Sequence, residues 1–393
     1  MRSLPVFRHH PDKSYLDLGP VGSFRWNIEP VVCGIRKMEY FNQKMQRTLE
    51  VPVSATPAVI GTIGTVVASD DGYVRFYSAD LAKVYWERRL NSGVYASLVV
   101  DPAREWIIVA ATSGMILALD LRGTVQWIAE TGIPIYATPI LLPDSDMLVI
   151  AGFRSHCLGL DVGTGSTVFD RALPAPWHET HRSTAAYRDP YASPVAMTND
   201  SVVVCCAEHV LAFTADGSEL WRRELEHAVK ASPVMVETTG EMVVCTVDGG
   251  CHFISTTGEL TGTWPMNAKV VASPALSGDI IAVGSQSDVV VGLNIHSREP
   301  QWTSMVGGPR SYTSMTVLPS GDFLCTNGRG NVLCLGRDHG QFVWETSQVL
   351  GLPEHEPDMD ITPIAGPDGN LYCASYSGYV YRFLFRTRNE GEE

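Results

Sequence analysis

Positive charge, long apolar runs and the short signatures of common enzyme classes are what this chain of 393 residues lacks. It has 29 Lys and Arg against 43 Asp and Glu, a net charge of −14, and no basic stripe interrupts the excess. Such a surface repels phosphate backbones, so no nucleic-acid partner is expected. No run approaches the roughly 18 apolar residues of a membrane-spanning helix. The opening MRSLPVFRHHPDKSYLDLGP contains no apolar core of signal-peptide length. The expectation is a chain with no membrane partner. There is no nucleophile elbow, no phosphate-cradling glycine loop and no C-x-x-C pair. Cysteine is present in an odd number, nine, and Cys157, Cys245, Cys325, Cys334 and Cys373 sit inside apolar runs. That usage fits small buried hydrophobes in a reducing compartment, and a cytoplasmic location is expected.

What the chain has is a repeat. The unit is clearest from Ala192 to Trp221, ASPVAMTNDSVVVCCAEHVLAFTADGSELW: a small-small-Pro opening, three β-rich runs separated by turn residues, and a Trp. Equivalent openings start at Ala55, Ala96, Ala137, Ala192, Ala231, Ala272, Thr313 and Ile361, with spacings of 41, 41, 55, 39, 41, 41 and 48 residues. Periods near 40 with strand-like content indicate a β-propeller. An aromatic follows seven of the openings by 29 to 33 residues: Trp86, Trp127, Phe169, Trp221, Trp264, Trp302 and Trp344. The eighth would fall in the C-terminal RNEGEE. The run Gly22-Ser-Phe-Arg-Trp26 near the N-terminus resembles the missing piece. The expected fold class is therefore all-β: one eight-bladed propeller over 22–388, with 22–29 as the strand that completes the last blade and removes its open edge. Residues 1–21 read as a surface arm and 389–393 as an acidic tail. Between them, Met38, Phe41 and Met45 allow one short amphipathic helix within 30–52, or a hairpin.

Most blades carry a glycine turn between their second and third strands, as at Asp70-Asp-Gly72, Thr112-Ser-Gly114 and Asp248-Gly-Gly250. Two inter-blade links are long, 171–191 and 348–360. In an eight-fold ring they follow blades 3 and 7, opposite one another, and both open over the same mouth of the central channel. Long links of this kind are where function concentrates.

The residue before each opening should face that mouth: Ser54, Tyr95, Tyr136, Tyr191, Lys230, Val271, Tyr312 and Asp360. Four tyrosines with a lysine and a carboxylate suit a small organic ligand or a peptide end. The plainer alternative is that the tyrosines plug the channel. Arg154, His156, Glu208, His209 and Arg329 occupy turns on the same side, where arginine suits a carboxylate and solvated turn residues are the alternative. His178 and His181 in HETH, opposite Glu354 to Asp360, suit acid–base work more than metal binding. No metal and no cofactor is expected.

The triplet, the glycine hairpin and the A-L-D-x-x-T-G-x-x-x-W run resemble the pyrroloquinoline-quinone-type propeller repeat. The nearest copies are Ala118–Trp127 and Gly159–Phe169, and the resemblance covers roughly residues 50–387. It implies a fold that serves quinoprotein dehydrogenases, an eight-bladed outer-membrane assembly lipoprotein, and propellers fused to adenylating enzymes. The dehydrogenases of that family cap their quinone with a disulfide between adjacent cysteines. Here the one such pair, Cys205-Cys206, lies in SVVVCCAEHV and reads as mid-strand, so a non-quinone member is implied.

Three functions remain. The first is a cytoplasmic propeller that binds a small molecule or a carrier or partner protein in its mouth, through Tyr95, Tyr136, Tyr191, Tyr312, Arg154, His156, His209 and Arg329. The second is a cofactor-independent lyase, cyclase or isomerase of a biosynthetic pathway, with His178, His181, Lys230 and Asp360 as catalytic groups. The third is a quinone-dependent dehydrogenase.

Overall fold

The computed structural model describes residues 15–16, 38–39, 52–142, 144–175, 189–197, 200–308, 313–329, 331–345, 361–366, 370–374 and 379–384. Every regular element among them is a strand, and the strands form eight small antiparallel sheets arranged as an eight-bladed propeller. Blade 2 shows why. Its inner strands Val99–Asp101 and Trp106–Ala110 and its third strand Met115–Asp120 are near-continuous apolar runs, buried on both faces. A sheet wedged between two others needs such runs rather than strict alternation. Its outer strand Val125–Glu130 is wet, and Trp127 is its one buried residue.

Two repeated devices join neighbouring blades. The first explains the opening triplet. In six of the eight triplets the backbone N–H of the Ser or Thr donates to the hydroxyl of the equivalent residue in the following blade: Ser97 to Thr138, Thr138 to Ser193, Ser193 to Ser232, Ser232 to Ser273, Ser273 to Ser314 and Ser314 to Thr362, at 2.9–3.2 Å. These groups are buried, so a small residue without a hydroxyl would leave a donor unsatisfied at each step.

The second device explains the aromatics. The indole N–H of Trp86, Trp127, Trp221 and Trp302 donates to the carbonyl of Leu121, Val162, Thr256 and Arg337, each 35 residues further along. The ring lies under a turn glycine of the next blade. A Cβ on Gly165 would come within 2.4 Å of the Trp127 ring, and Gly165 has a φ of +72°. Only glycine satisfies both conditions. Two residues after the ring, Arg88, Arg171 and Arg223 donate to the carbonyls of Gly123, Gly217 and Gly258. By area, each buried indole stabilises the ring by up to about 5 kcal/mol.

Blade 5 departs from the expected aromatic series. Gly262, not Trp264, occupies the stapling position: it pairs with Phe253 as Trp302 pairs with Gly292. A side chain at Gly262 would collide with Arg298 of the next blade. The Arg298 guanidinium lies 4.8 Å from the Phe253 ring centroid and 2.9 Å from Glu241, taking the place of the missing indole. Trp264 is displaced by two residues and is only half-buried.

The last blade consists of Ile364–Ala365, Asn370–Ala374 and Tyr379–Leu384, with Met38–Glu39 as its outer strand. Met38 pairs with Val380 and Glu39 with Tyr379. The N-terminal segment thus completes the eighth sheet. The residues seen to do so are 38–39, which are strand where a short helix or a hairpin was expected; 22–29, with Trp26, lie outside the described residues. Tyr15–Leu16 pair in parallel with Val59 and Ile60 on the inner edge of blade 1, facing the channel. The seam between blades 8 and 1 is apolar: Val53, Val59, Val67, Tyr77, Leu81, Ile361, Ile364 and Tyr372 form one buried cluster. The Tyr372 hydroxyl donates across it to the Ala79 carbonyl at 2.7 Å.

Candidate functional site

Ring geometry gathers on one side the links that enter each blade and the turns between second and third strands. The pre-triplet residues of blades 1 to 5 form a contiguous arc there. Ser54 begins it: its hydroxyl donates to Asp70 Oδ2 at 2.9 Å and its backbone N–H reaches Oδ1 at 3.3 Å. The Tyr95 hydroxyl also bonds to Asp70. The Tyr95 and Tyr136 ring centroids are 5.0 Å apart, inclined by 53°. Tyr136 stacks on Phe153 at 4.4 Å and 9°, and the Phe153 ring meets Tyr191 edge-on at 4.9 Å. The arc ends at Lys230, whose Nζ is 4.6 Å from the Tyr191 centroid and 2.7 Å from Asp189 Oδ2.

Elements on two levels hold these groups. Asp70 and Phe153 come from turns inside blades 1 and 3; Tyr95, Tyr136, Tyr191 and Lys230 come from inter-blade links. Asp189 is itself nearly sealed, at 2 % exposure. It fixes the link by accepting the Tyr191 backbone N–H at 3.0 Å. Tyr95 and Tyr191 remain 41 % and 42 % exposed, so both present ring surface to solvent.

The electrostatics of the two ends differ. Burial pushes the Asp70 carboxyl up to about 6, partly offset by the bonds from Ser54 and Tyr95. Burial, followed by the neighbouring Asp70 charge, lifts the Tyr95 phenol to about 12. At neutral pH the carboxylate is therefore ionised, accepts three uncharged donors and has a firmly protonated phenol beside it. At the far end, the Asp189 carboxylate faces the Lys230 ammonium.

The structure thus brings Tyr95, Tyr136, Tyr191 and Lys230 together. The other expected residues are not part of this run of contacts. His156 Nδ1 is 3.1 Å from Asp170, on the outer strand of its own blade. Arg154 is exposed, in a left-handed turn with φ +69°. His209 Nε2 lies 3.6 Å from Glu208 Oε1, and its buried Nδ1 has no hydrogen-bond partner among the described residues. Arg329 is exposed in a turn pinned by Asn327. His178, His181, Tyr312 and Asp360 lie outside the described residues. Sequence reasoning passed over Asp70, Phe153 and Asp189. Asp70 was visible only as a turn former. The signal for Phe153 was a large aromatic in a turn where other blades carry small residues.

Among the described residues no group of three or more His, Cys, Asp or Glu is placed to hold a metal ion, and no helix is long and apolar enough to cross a membrane. Cys205 and Cys206 are adjacent strand residues, as expected, and both are free and fully buried. Their side chains enter opposite cores, Cys205 between blades 4 and 5 and Cys206 between blades 3 and 4. Burial raises the Cys205 thiol well above its ordinary value. Neither residue is placed to cap a ligand in the mouth.

A ring of eight blades with repeated aromatic-on-glycine staples and a hydroxyl belt is a propeller of the pyrroloquinoline-quinone-like repeat class. Within it, the model of the family described as outer membrane protein assembly factor BamB matches residues 37–213 and 207–391, and the chain belongs to that family. No curated protein matches the sequence. Among solved structures, BamB from Moraxella catarrhalis superimposes with a TM-score of 0.70 at 17% identity, over 91% of this chain and 100% of that one. Sqt1 from Saccharomyces cerevisiae gives 0.68 at 12% identity, over 88% and 98%. The quinohemoprotein alcohol dehydrogenase from Comamonas testosteroni gives 0.68 at 10% identity, over 97% and 80%. At these identities the likeness is one of fold.

Proposed function

We propose that this chain is a binding propeller that holds a small molecule, or a segment of a carrier or partner protein, against the arc Ser54–Tyr95–Tyr136–Tyr191–Lys230. The observation behind this reading is the arc itself. Five equivalent positions of five successive blades carry side chains joined in one run of contacts, with Asp70 linking Ser54 to Tyr95, and two of the tyrosines keep about two-fifths of their surface open. Tyrosines serving only to fill a channel would bury their rings. Rigid aromatic surface with polar tips is what binding mouths use.

One relative bears the name of an assembly factor and another that of a dehydrogenase, so fold alone does not choose between binding and catalysis. The mouth favours binding. Its lysine is engaged by Asp189, and its other carboxylate, Asp70, is held by uncharged donors in an aromatic setting. The free, buried cysteines support a reducing compartment, and the reading places the protein in the cytoplasm.

The test is a thermal-shift screen of a metabolite and peptide library, repeated on the Tyr95→Ala/Tyr191→Ala double variant. Ligands that stabilise the parent and not the variant support the mouth. A ligand set that stabilises both equally overturns it.

A further inference from the structure

The arc is chemically asymmetric, and the asymmetry defines what it takes. At its blade 4–5 end the chain supplies its own cation: the Lys230 ammonium lies on the Tyr191 face, 4.6 Å from the centroid, with Asp189 2.7 Å from Nζ. At the blade 1–2 end the same two partners recur, an exposed pre-triplet tyrosine, Tyr95, and a carboxylate, Asp70. There the cation is missing. Among the described residues no Lys or Arg lies over the Tyr95 or Tyr136 ring, while such groups do lie over Tyr73, Tyr85, Trp106, Phe169, Tyr191 and Phe253. Every donor found on Asp70 is uncharged, and the neighbouring Asp71 adds a second negative charge.

Resting on the reading of the mouth as a binding site, we propose that the Tyr95–Tyr136 end of the arc, beside Asp70, receives a positively charged nitrogen of the ligand. This nitrogen is an alkylammonium or guanidinium, carried either by a small molecule or by a basic side chain of a partner protein. It would sit against Asp70 and the Tyr95 ring as Lys230 sits against Asp189 and Tyr191. Phe153 covers one face of Tyr136, at 4.4 Å and 9°, and the Tyr95 ring packs 5.0 Å from it, so the exposed Tyr95 ring is the surface offered to the ligand. An ammonium there gains the ring quadrupole and a charge-assisted contact with the carboxylate. An anion meets Asp70 and Asp71 and is repelled. A neutral ligand gains the ring surface alone. The net charge of −14 attracts cations to the same surface over a longer range.

The experiment is calorimetric titration of the full chain with two matched pairs. Choline is paired with its neutral isostere 3,3-dimethylbutan-1-ol, and a lysine-containing acetylated peptide with the same peptide carrying norleucine. The cationic member of at least one pair should bind about tenfold more tightly than its neutral twin, the range of a partly desolvated cation on an aromatic face. Asp70→Asn, which preserves shape, should remove that difference. Tighter choline binding identifies a small-molecule ammonium; tighter lysyl-peptide binding identifies a basic partner segment. Equal binding within both pairs, no binding by any probe, or an advantage that survives Asp70→Asn overturns the proposal. Those outcomes leave the mouth itself to the library screen. A neutral or anionic ligand lost in the Tyr95→Ala/Tyr191→Ala variant would keep the mouth and discard the cation.

Discussion

Lys230 Nζ and Asp189 Oδ2 are 2.7 Å apart, and the carboxylate of this pair is all but sealed while the ammonium keeps 29% of its side-chain surface. The two side chains come from successive inter-blade links, so the pair ties the mouth together across blade 4. Removing the lysine would take the counter-charge from a buried carboxylate that also accepts the Tyr191 N–H. Lys230→Met should lower stability by about 2–3 kcal/mol, less than a fully buried pair would cost because the lysine is partly wet. Adding Asp189→Asn should recover part of the loss. Chemical denaturation of the single and double variants checks both, and an unchanged Lys230→Met midpoint would refute the assignment.

Asp70 makes stability depend on pH in an unusual direction for a carboxylate. Its folded value of about 6 lies above the ordinary 3.8, so between these values the folded chain binds more protons than the unfolded one. The contribution is therefore fully present below about pH 4 and is lost as pH rises through about 6. The groups facing Asp70 are Ser54, Asp71 and Tyr95, and none titrates with a cationic form. Asp70→Asn, a mimic of the protonated acid, should unfold at a higher temperature than the parent at pH 7.5 and at the same temperature at pH 4. Melting curves at the two values decide. Cation binding at the mouth should follow the opposite course and weaken as pH falls below about 6.

The staples rank the aromatics. Trp127→Phe keeps a ring but loses the N–H bond to Val162, and should cost about 1–2 kcal/mol. Gly165→Ala drives a methyl into the same ring from a φ of +72° and should cost about 2–3 kcal/mol. Trp264→Phe should cost markedly less than Trp127→Phe, because Trp264 does not occupy the stapling position. Equal losses at 127 and 264 would overturn the blade 5 register, in which Gly262 holds that position.

That register also shows where the sequence ceased to be legible. The period near 40, the triplets and the aromatics together specify eight blades, because each is tied to a bond repeated around the ring. Spacing from triplet to aromatic varies by a few residues, and Trp264 falls inside that tolerance although Gly262 occupies the staple. Only the bulky Arg298 from the next blade, a long-range contact, settles which is which. The mouth was half legible for the same reason. Pre-triplet residues are periodic, so Tyr95, Tyr136, Tyr191 and Lys230 could be placed side by side. Asp70, Phe153 and Asp189 lie off that period, in turns whose side-chain direction depends on packing between blades.

The cysteines give a chemical test of burial. All eight described cysteines are free and buried, and burial lifts Cys157 to about 12 and pushes the Cys205 and Cys334 thiols up as well. Thiolate is the reactive form. A disulfide-exchange reagent should leave these eight unmodified in the native protein and modify them on unfolding, as read by peptide mass spectrometry. Rapid native labelling of Cys205 or Cys206 would contradict the placement of these two thiols in the inter-blade cores.

The N-terminal segment takes part in closing the ring. Among the described residues, Met38–Glu39 pair with Val380 and Tyr379, on the outer edge of a strand six residues long, Tyr379–Leu384. Without them that edge offers unpaired N–H and C=O groups to any passing strand. The seam beneath it holds Tyr372 and the apolar cluster that joins blade 8 to blade 1, so fraying of the edge exposes core as well as backbone. Deletion of residues 1–45 should therefore lower the melting temperature and drive self-association, visible as a shift to species larger than the parent's in light scattering after size exclusion. The remaining blades should hold their near-native far-ultraviolet signal, because their staples run forward from Trp86 and do not involve the deleted residues. A truncated chain that keeps the parent's association state and melting temperature would mean that the propeller closes through its C-terminal strands alone.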